Sequence, residues 1–154
     1  MLHMRAASAI LSSLHLLALA IGLPAIVMRH RALLRPLDGA GVRKVLFVDN
    51  LWGVAAVLWI VTGPGRAFGP LEKGAVFYMS SPLFWAKMGL FLAIFALELA
   101  PMVAFIRWRI ALRKGGTPDL RRARTYAALS GIQAALVVVI VFVASFMARG
   151  FGRG

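Results

Sequence analysis

Four ionisable side chains lie inside apolar stretches of this chain of 154 residues: His15, Asp49, Lys87 and Glu98. An imidazole can bind a metal ion or carry a proton, a carboxylate can carry a proton, and an ammonium group can bind an acidic ligand. Ionisable groups at membrane depth cost several kcal/mol, so they usually face a bundle interior or water. These four residues are therefore the first candidates for a functional site.

The composition places these residues in a membrane protein and excludes a water-soluble globule. Apolar residues make up 61% of the chain, whereas about 45 to 50% is usual in a soluble domain. The chain contains no cysteine, which excludes disulfides, a thiolate nucleophile and iron–sulfur centres. We also find no phosphate-binding glycine loop, catalytic triad or zinc motif.

Four apolar segments are long enough to cross a membrane, which takes about 20 residues in a helix. They lie at approximately residues 6–28, 45–63, 83–106 and 126–147. None shows the strict alternation of apolar and polar residues that marks a membrane strand. The sequence therefore predicts a single all-α membrane domain over residues 1–154, folded as an antiparallel bundle of four transmembrane helices.

The basic residues predict the orientation of this bundle. The formal net charge is +13, and the two links at residues 29–44 and 107–125 hold 12 of the 18 Lys and Arg residues. By the positive-inside rule, these links face the cytoplasm of a bacterium and both termini lie on the periplasmic side of its inner membrane. The charge is thus a topology signal with added affinity for anionic lipid, and we expect no nucleic-acid partner.

His15 lies near the middle of the first span, about 14 Å from its outer end at 1.5 Å per residue. Ser8, Ser12 and Gly22 share its helical face, which is therefore polar or small and suited to a cavity or a flat ligand. Two interpretations stay open. The imidazole is a ligand or a proton carrier, or it is hydrogen-bonded to a neighbouring helix.

Lys87 lies about 6 Å inside the outer boundary of the third span. Its ammonium group either extends to the external headgroups or faces inward, where it could bind an acidic ligand or relay protons. Glu98 shares its helical face, but about 16 Å along the helix axis separates the two residues. Glu98 must therefore be neutral or have a partner on another helix.

The second span combines an acidic residue with two indoles. Asp49 either complements the dipole at the cytoplasmic start of this helix or faces the bundle interior. Trp52 and Trp59 share its face, where they are either packing residues or a wall of a cofactor site. Asp49, Glu98 and Gln133 are predicted to lie in one polar layer. His15 and then Lys87 follow toward the outer face, an order typical of a proton path or a buried cofactor site.

Haem ligation is restricted by the positions of the three histidines. His15 and His30 lie about 22 Å apart on one helix, so one chain cannot place both on the two sides of a haem. His15 alone, His15 with Met88, Met102 or Lys87, and pairing across a dimer all stay open. A His/Met copper site has weaker support, because no Met-rich cluster is present.

Several motifs resemble a bacterial family of predicted membrane proteins of unknown function, over nearly the whole chain. They are DNLWG at 49–53, LWIVTG at 58–63, EKG at 72–74, FWAKM at 84–88 and LELAPM at 97–102. More distantly, His15 and the Trp85, Lys87 and Leu90 pattern are similar to HemJ-type protoporphyrinogen oxidases and CopD-like proteins. This resemblance implies a four-helix bundle that binds haem b through His15, with Lys87 essential.

The combined prediction is an inner-membrane protein that binds haem b or a porphyrin in a buried polar site and supports redox or proton transfer, with a quinone as redox partner. The predicted catalytic residues are Lys87, Glu98 and Asp49. The predicted cofactor contacts are His15 as metal ligand, Lys87, Arg66, Trp52 and Trp59. One alternative is a non-catalytic subunit without a cofactor, in a homo-oligomer or a larger membrane complex. Another is a CopD-like ion pathway.

Overall fold

The described residues form four α-helices, and their order along the chain is α1 (Leu2–Leu33), α2 (Gly39–Phe68), α3 (Pro82–Arg113) and α4 (Ala123–Ala148). This computed structural model describes residues 2–68 and 81–151. Each helix is long and apolar enough to cross a membrane, and no strand occurs in the described ranges. The prediction of an all-α bundle with four spanning helices is confirmed.

The helices extend beyond the predicted spans, mostly at the ends where the basic residues lie. α1 continues five residues past the predicted end at residue 28, and α2 begins six residues before the predicted start at residue 45. Helical hydrogen bonding does not stop where hydrophobicity falls, because charged side chains at a helix end can reach water while the backbone stays helical. Asp38 starts α2 by accepting a hydrogen bond from Gly41 N–H at 2.7 Å.

Close backbone packing joins α1 to both α2 and α4, and α4 to α3. Two glycines permit the contacts that α1 makes. A Cβ on Gly22 would lie 2.8 Å from the Trp59 ring of α2, and one on Gly131 of α4 would lie 3.1 Å from the His30 ring. In contrast, α3 reaches α1 and α2 mainly through side chains.

Two apolar layers fill the interior between the helices. At the basic end, where α1 and α3 end and α2 and α4 begin, ten buried residues pack together, including Val45, Phe105, Trp108 and Ala127. Nearer the middle is the central apolar layer, which consists of Ala25, Ile26, Trp52, Ile94 and Val137. Many large apolar side chains are exposed on the outside of the bundle, as expected for a surface that faces lipid.

Candidate functional site

The polar centre of the bundle is built around Arg29, a fully buried residue of α1. Its guanidinium contacts side chains of the other three helices. Asp49 of α2 accepts a hydrogen bond from Nη1 at 2.8 Å, and Glu98 of α3 accepts from Nη1 and Nη2 at 2.8 and 2.7 Å. On α4, Gln133 Oε1 accepts from Nη2 at 3.0 Å and Ser130 Oγ accepts from Nε at 3.1 Å. A single side chain therefore connects all four helices.

Every N–H group of this guanidinium has an acceptor. An arginine side chain carries five N–H donors, and the five hydrogen bonds from Arg29 use all of them. Glu98 binds Arg29 through both carboxylate oxygens, which is the strong bidentate geometry. Trp52 and Phe105 also lie beside the guanidinium, at 5.8 and 5.5 Å from its carbon to the ring centroids. The positive charge is thus paired and enclosed.

The partners of Arg29 have partners of their own. Gln133 donates from Nε2 to Glu98 Oε2 at 2.8 Å and to the Ile94 carbonyl at 3.1 Å. Ser130 donates to the Tyr126 carbonyl of its own helix at 2.8 Å. Because Gln133 donates to two oxygens and accepts from a guanidinium, its amide orientation follows from the chemistry of its neighbours.

A second arginine extends this network toward the basic end. Arg109 of α3 donates from Nη2 to Asp49 Oδ2 at 2.8 Å and to Asn50 Oδ1 at 2.7 Å. Exposure rises along this route, from 0% for the Arg29 side chain through 12% for Asp49 to 28% for Arg109. We call Arg29, Asp49, Glu98, Arg109, Ser130 and Gln133 the Arg29 cluster. Its two arginines and two carboxylates have a formal net charge of zero.

The predicted polar layer of Asp49, Glu98 and Gln133 is confirmed, and Glu98 has a partner on another helix. The interpretation that Asp49 complements the dipole at the start of its helix is wrong, because α2 begins ten residues earlier, at Gly39. The assignment of Arg29 to the first basic link is also wrong, because α1 continues to Leu33 and buries this side chain. Sequence reasoning missed Arg29 because it stands next to His30 and Arg31 in a basic run. The sequence did contain one signal for Arg29: two carboxylates at membrane depth, Asp49 and Glu98, require a cation nearby.

A smaller polar site, the His15–Thr62 pair, lies on the other side of the central apolar layer. His15 Nδ1 and Thr62 Oγ1 are 2.8 Å apart, and the Thr62 hydroxyl donates to the Leu58 carbonyl at 2.6 Å. Since that hydroxyl hydrogen points to Leu58, the threonine oxygen accepts from Nδ1–H. In the neutral ring, the hydrogen is then on Nδ1 and Nε2 carries the lone pair.

Trp52 and Trp59 of α2 pack against each other, with ring centroids 5.8 Å apart in an edge-to-face arrangement. Trp59 covers Gly22, so the helical face between His15 and Gly22 contacts an indole. Trp52 is buried, and its Nε1–H has no hydrogen-bond acceptor among the described residues. That N–H could donate to a water molecule or to a polar ligand atom within the central apolar layer.

Two other predicted site residues lie away from the Arg29 cluster. Lys87 is half-buried in the second turn of α3, about 16 Å along the helix from Glu98. The backbone of Arg66 belongs to the last turns of α2, and its side chain lies outside the described residues. Within the described ranges, no group of three or more His, Asp or Glu residues could hold a metal ion.

A family model described as a predicted membrane protein, DUF2214, matches residues 7–152 of the chain. The chain belongs to the DUF2214 family. No curated protein and no solved structure matches this DUF2214 chain. The membership confirms the resemblance to a family of predicted membrane proteins, while nothing in the comparisons supports a similarity to HemJ-type or CopD-like proteins. As a membrane protein, the chain has the lipid bilayer as its first partner.

The chemistry that the Arg29 cluster can perform with its own residues is proton transfer. A guanidinium does not act as a proton carrier in proteins, so the two carboxylates are the groups of the cluster that could carry a proton. Both accept from Nη1 of the same guanidinium, so their carboxylates are neighbours. A proton on either one would weaken its bonds to Arg29, because the charge that strengthens those bonds would be lost.

Proposed function

We propose that this protein of the bacterial inner membrane, with both termini periplasmic, transfers protons through the Arg29 cluster in support of a redox reaction. The observation that carries the proposal is the pair of carboxylates on one fully buried guanidinium, joined through Arg109 to the basic end. Replacement of a buried ion pair by well-packed apolar residues of similar volume often leaves a protein equally or more stable, so stability alone is weak grounds for such a pair. Ionisable groups within a membrane usually mark proton or substrate pathways.

In the proposed mechanism, Asp49 receives a proton from the basic end, along the side of the cluster where Arg109 is exposed. The proton passes to Glu98, which shares the Nη1 donor with Asp49. Neutral Glu98 no longer holds Arg29 by a bidentate ion pair. Among the described helices, α3 has its close backbone packing with α4. Loss of the Glu98 contact would therefore let α3 move away from α1.

That movement gives the proton a route past the central apolar layer. In the closed arrangement, Ile26, Ile94 and Val137 separate the Arg29 cluster from the His15–Thr62 pair. The Trp52 N–H offers a place for a water molecule in this layer. On the far side, the imidazole of His15 is the next group along the bundle that can carry a proton.

Proton flux into vesicles tests this function. The full chain is reconstituted into vesicles that contain a pH-sensitive dye, and a potassium diffusion potential drives the protons. We expect flux above that of empty vesicles, with loss in Glu98→Gln and Asp49→Asn. The matched control is Asp119→Asn, which removes the same charge from an exposed carboxylate in the link between α3 and α4. Folded wild-type protein that gives no flux would overturn the proposal.

A haem b or porphyrin at His15 forms part of the proposed redox role, with a quinone as electron partner. The Thr62 contact supports it, because a hydrogen bond from Nδ1–H would fix the ring orientation of His15 if it held the iron of a haem. The indole on Gly22 does not fit a flat ligand on that face, so a porphyrin would have to lie on another face of His15. A bound haem would supply one-electron transfer. Lys87 and Arg66 stay predicted propionate contacts.

A reduced-minus-oxidised visible spectrum of the protein in mild detergent tests the cofactor separately from proton transfer. We expect a b-type spectrum that disappears in His15→Ala and persists in His3→Ala, because His3 is exposed near the N-terminus. A full complement of haem in His15→Ala would show that His15 is not the ligand. A colourless wild-type protein would overturn the proposal that the chain binds haem. The proposed proton pathway would then depend on the vesicle experiment alone.

A non-catalytic membrane subunit is the second candidate, and the saturation of Arg29 favours it. All five donors are used and the cluster is neutral, as expected of a centre that only fixes the helices. This candidate predicts a folded wild-type protein without flux, together with a larger membrane assembly or a homo-oligomer. Crosslinking in intact membranes followed by mass spectrometry of the purified complex would identify such partners.

A further inference from the structure

A cavity lined by three cations opens at the basic end between α1 and α2, outside the Arg29 cluster. Its volume is about 200 Å³, and its lining residues are Met28, Arg31, Ala32, Arg35 and Lys44. No acidic residue contributes to the lining. Within the described part of the chain, none of its three cations forms an ion pair. We call this the basic cavity.

We propose that the basic cavity binds the phosphate group of an anionic membrane phospholipid. Arg31 and Lys44 approach it from two helices, and Arg35 lies in the turn after α1. Guanidinium groups bind phosphate oxygens in a bidentate manner, and an ammonium group adds a point charge. Three cations with no carboxylate partner among the described residues leave a local positive charge that a phosphate would neutralise.

Exposed apolar residues on the membrane side of the three cations favour a lipid over a free phosphate ion. Met28 precedes Arg31 by one turn of α1, and Phe47 follows Lys44 by one turn of α2. Because α1 runs toward the basic end and α2 runs away from it, both apolar residues lie on the membrane side of the cations. Both are also exposed, at 43% and 61%. An acyl chain can therefore pack along Met28 and Phe47 while the phosphate contacts the cations.

The cavity is more than a region of positive charge at the end of a bundle. Arg43 is next to Lys44 in the sequence and is also exposed, yet it does not line the cavity. A general attraction to an anionic surface would depend equally on both residues. A defined site depends on Lys44, Arg31 and Arg35, and it tolerates the loss of Arg43. This difference supplies a matched control.

Native mass spectrometry of the full chain can measure the lipid bound after titration with phosphatidylglycerol in detergent. Phosphatidylcholine is the zwitterionic control, and inorganic phosphate serves as a competitor. We expect preferential binding of phosphatidylglycerol and an affinity reduced about fivefold in Arg31→Gln, Arg35→Gln or Lys44→Gln. Arg43→Gln should bind as the wild type does. Circular dichroism of each variant confirms that it is folded.

Three results would overturn the proposal. Equal losses in Arg43→Gln and Lys44→Gln would show attraction to the whole basic end rather than a site. Equal binding of phosphatidylcholine would show that the acyl chains alone account for the contact. Displacement of phosphatidylglycerol by inorganic phosphate at comparable concentrations would assign the cavity to a free anion.

Discussion

The Arg29 cluster and the His15–Thr62 pair both provide partners for polar side chains at membrane depth, but they do so in different ways. In the first, two arginines and two carboxylates from three helices form a neutral network around a fully buried guanidinium. In the second, an imidazole and a hydroxyl from two helices share one hydrogen bond, and the hydroxyl donates to its own backbone. The first depends on paired charges and the second on hydrogen bonds between neutral groups. Substitutions should therefore be far more costly in the first.

Loss of the Arg29 guanidinium should have the largest effect. Arg29→Met leaves two carboxylates without their shared counter-ion, and removal of one partner from a buried ion pair typically costs about 3 to 5 kcal/mol in the free energy of unfolding. Thermal unfolding followed by circular dichroism in mild detergent measures this loss. The double variant Arg29→Met with Glu98→Gln should recover part of it. A loss below about 1 kcal/mol, as for a surface pair, would contradict the importance of the cluster.

Neutralisation of one carboxylate should cost less. Glu98→Gln keeps one oxygen to accept from Arg29 but loses the bidentate ion pair, and hydrogen bonds to charged groups contribute about 1.5 to 3 kcal/mol. Chemical unfolding of the purified variant measures the change. Asp49→Asn is the comparison, because Asp49 also pairs with Arg109. A Glu98→Gln variant as stable as the wild type would show that α3 does not depend on this contact.

A methyl group on Gly22 tests the packing between the two sites. In Gly22→Ala, the new Cβ would lie 2.8 Å from the Trp59 ring and 3.0 Å from Ala55 Cβ, and overpacking of this kind costs about 1 to 3 kcal/mol. Gly53→Ala is the matched control, since its Cβ would meet nothing within 4 Å. Alanine is the better helix former by up to about 1 kcal/mol. Melting temperatures should therefore fall for Gly22→Ala and stay or rise for Gly53→Ala.

Removal of the threonine hydroxyl should have a small effect on stability and a clear one on His15. Thr62→Val removes the acceptor for Nδ1–H at a cost of about 1 kcal/mol. The ¹⁵N chemical shifts of His15 report which ring nitrogen carries the hydrogen. We expect one dominant tautomer in the wild type and a mixture in Thr62→Val. Identical shifts in both proteins would mean that Thr62 does not determine the tautomer.

The exposed ion pair between Arg121 and Asp119 is a reference for the stability effects expected at the Arg29 cluster and the His15–Thr62 pair. The side-chain hydrogen bonds from Arg121, and then its backbone N–H, lower the pKa of Asp119 from 3.8 to about 2. Since the folded pKa lies below the unfolded one, this pair stabilises the fold above pH 3.8 and loses that effect as the pH falls toward 2. Asp119→Asn should leave the melting temperature at pH 7 nearly unchanged. A large decrease would show that surface pairs matter as much as the Arg29 cluster.

The four helices could be predicted from the sequence because membrane spans are long apolar segments of nearly constant length. The layer of Asp49, Glu98 and Gln133 was also predictable, since depth along a helix follows from residue number. The burial of Arg29 was not predictable, because its basic neighbours His30 and Arg31 make it look like part of the charged segment that follows a membrane span. Hydrophobicity locates the end of an apolar segment, whereas the burial of Arg29 depends on three other helices. The tautomer of His15 likewise depends on a threonine 47 residues away.

Infrared difference spectroscopy of the reconstituted protein tests the central claim most directly, because it detects protonation of individual carboxylates. Spectra recorded after a drop in pH on the side of the basic end would show the C=O stretch of a protonated carboxylic acid. The account predicts that this band appears, is lost in Glu98→Gln or Asp49→Asn, and persists in Asp119→Asn. Proton flux that continues while neither Glu98 nor Asp49 changes protonation would contradict the account.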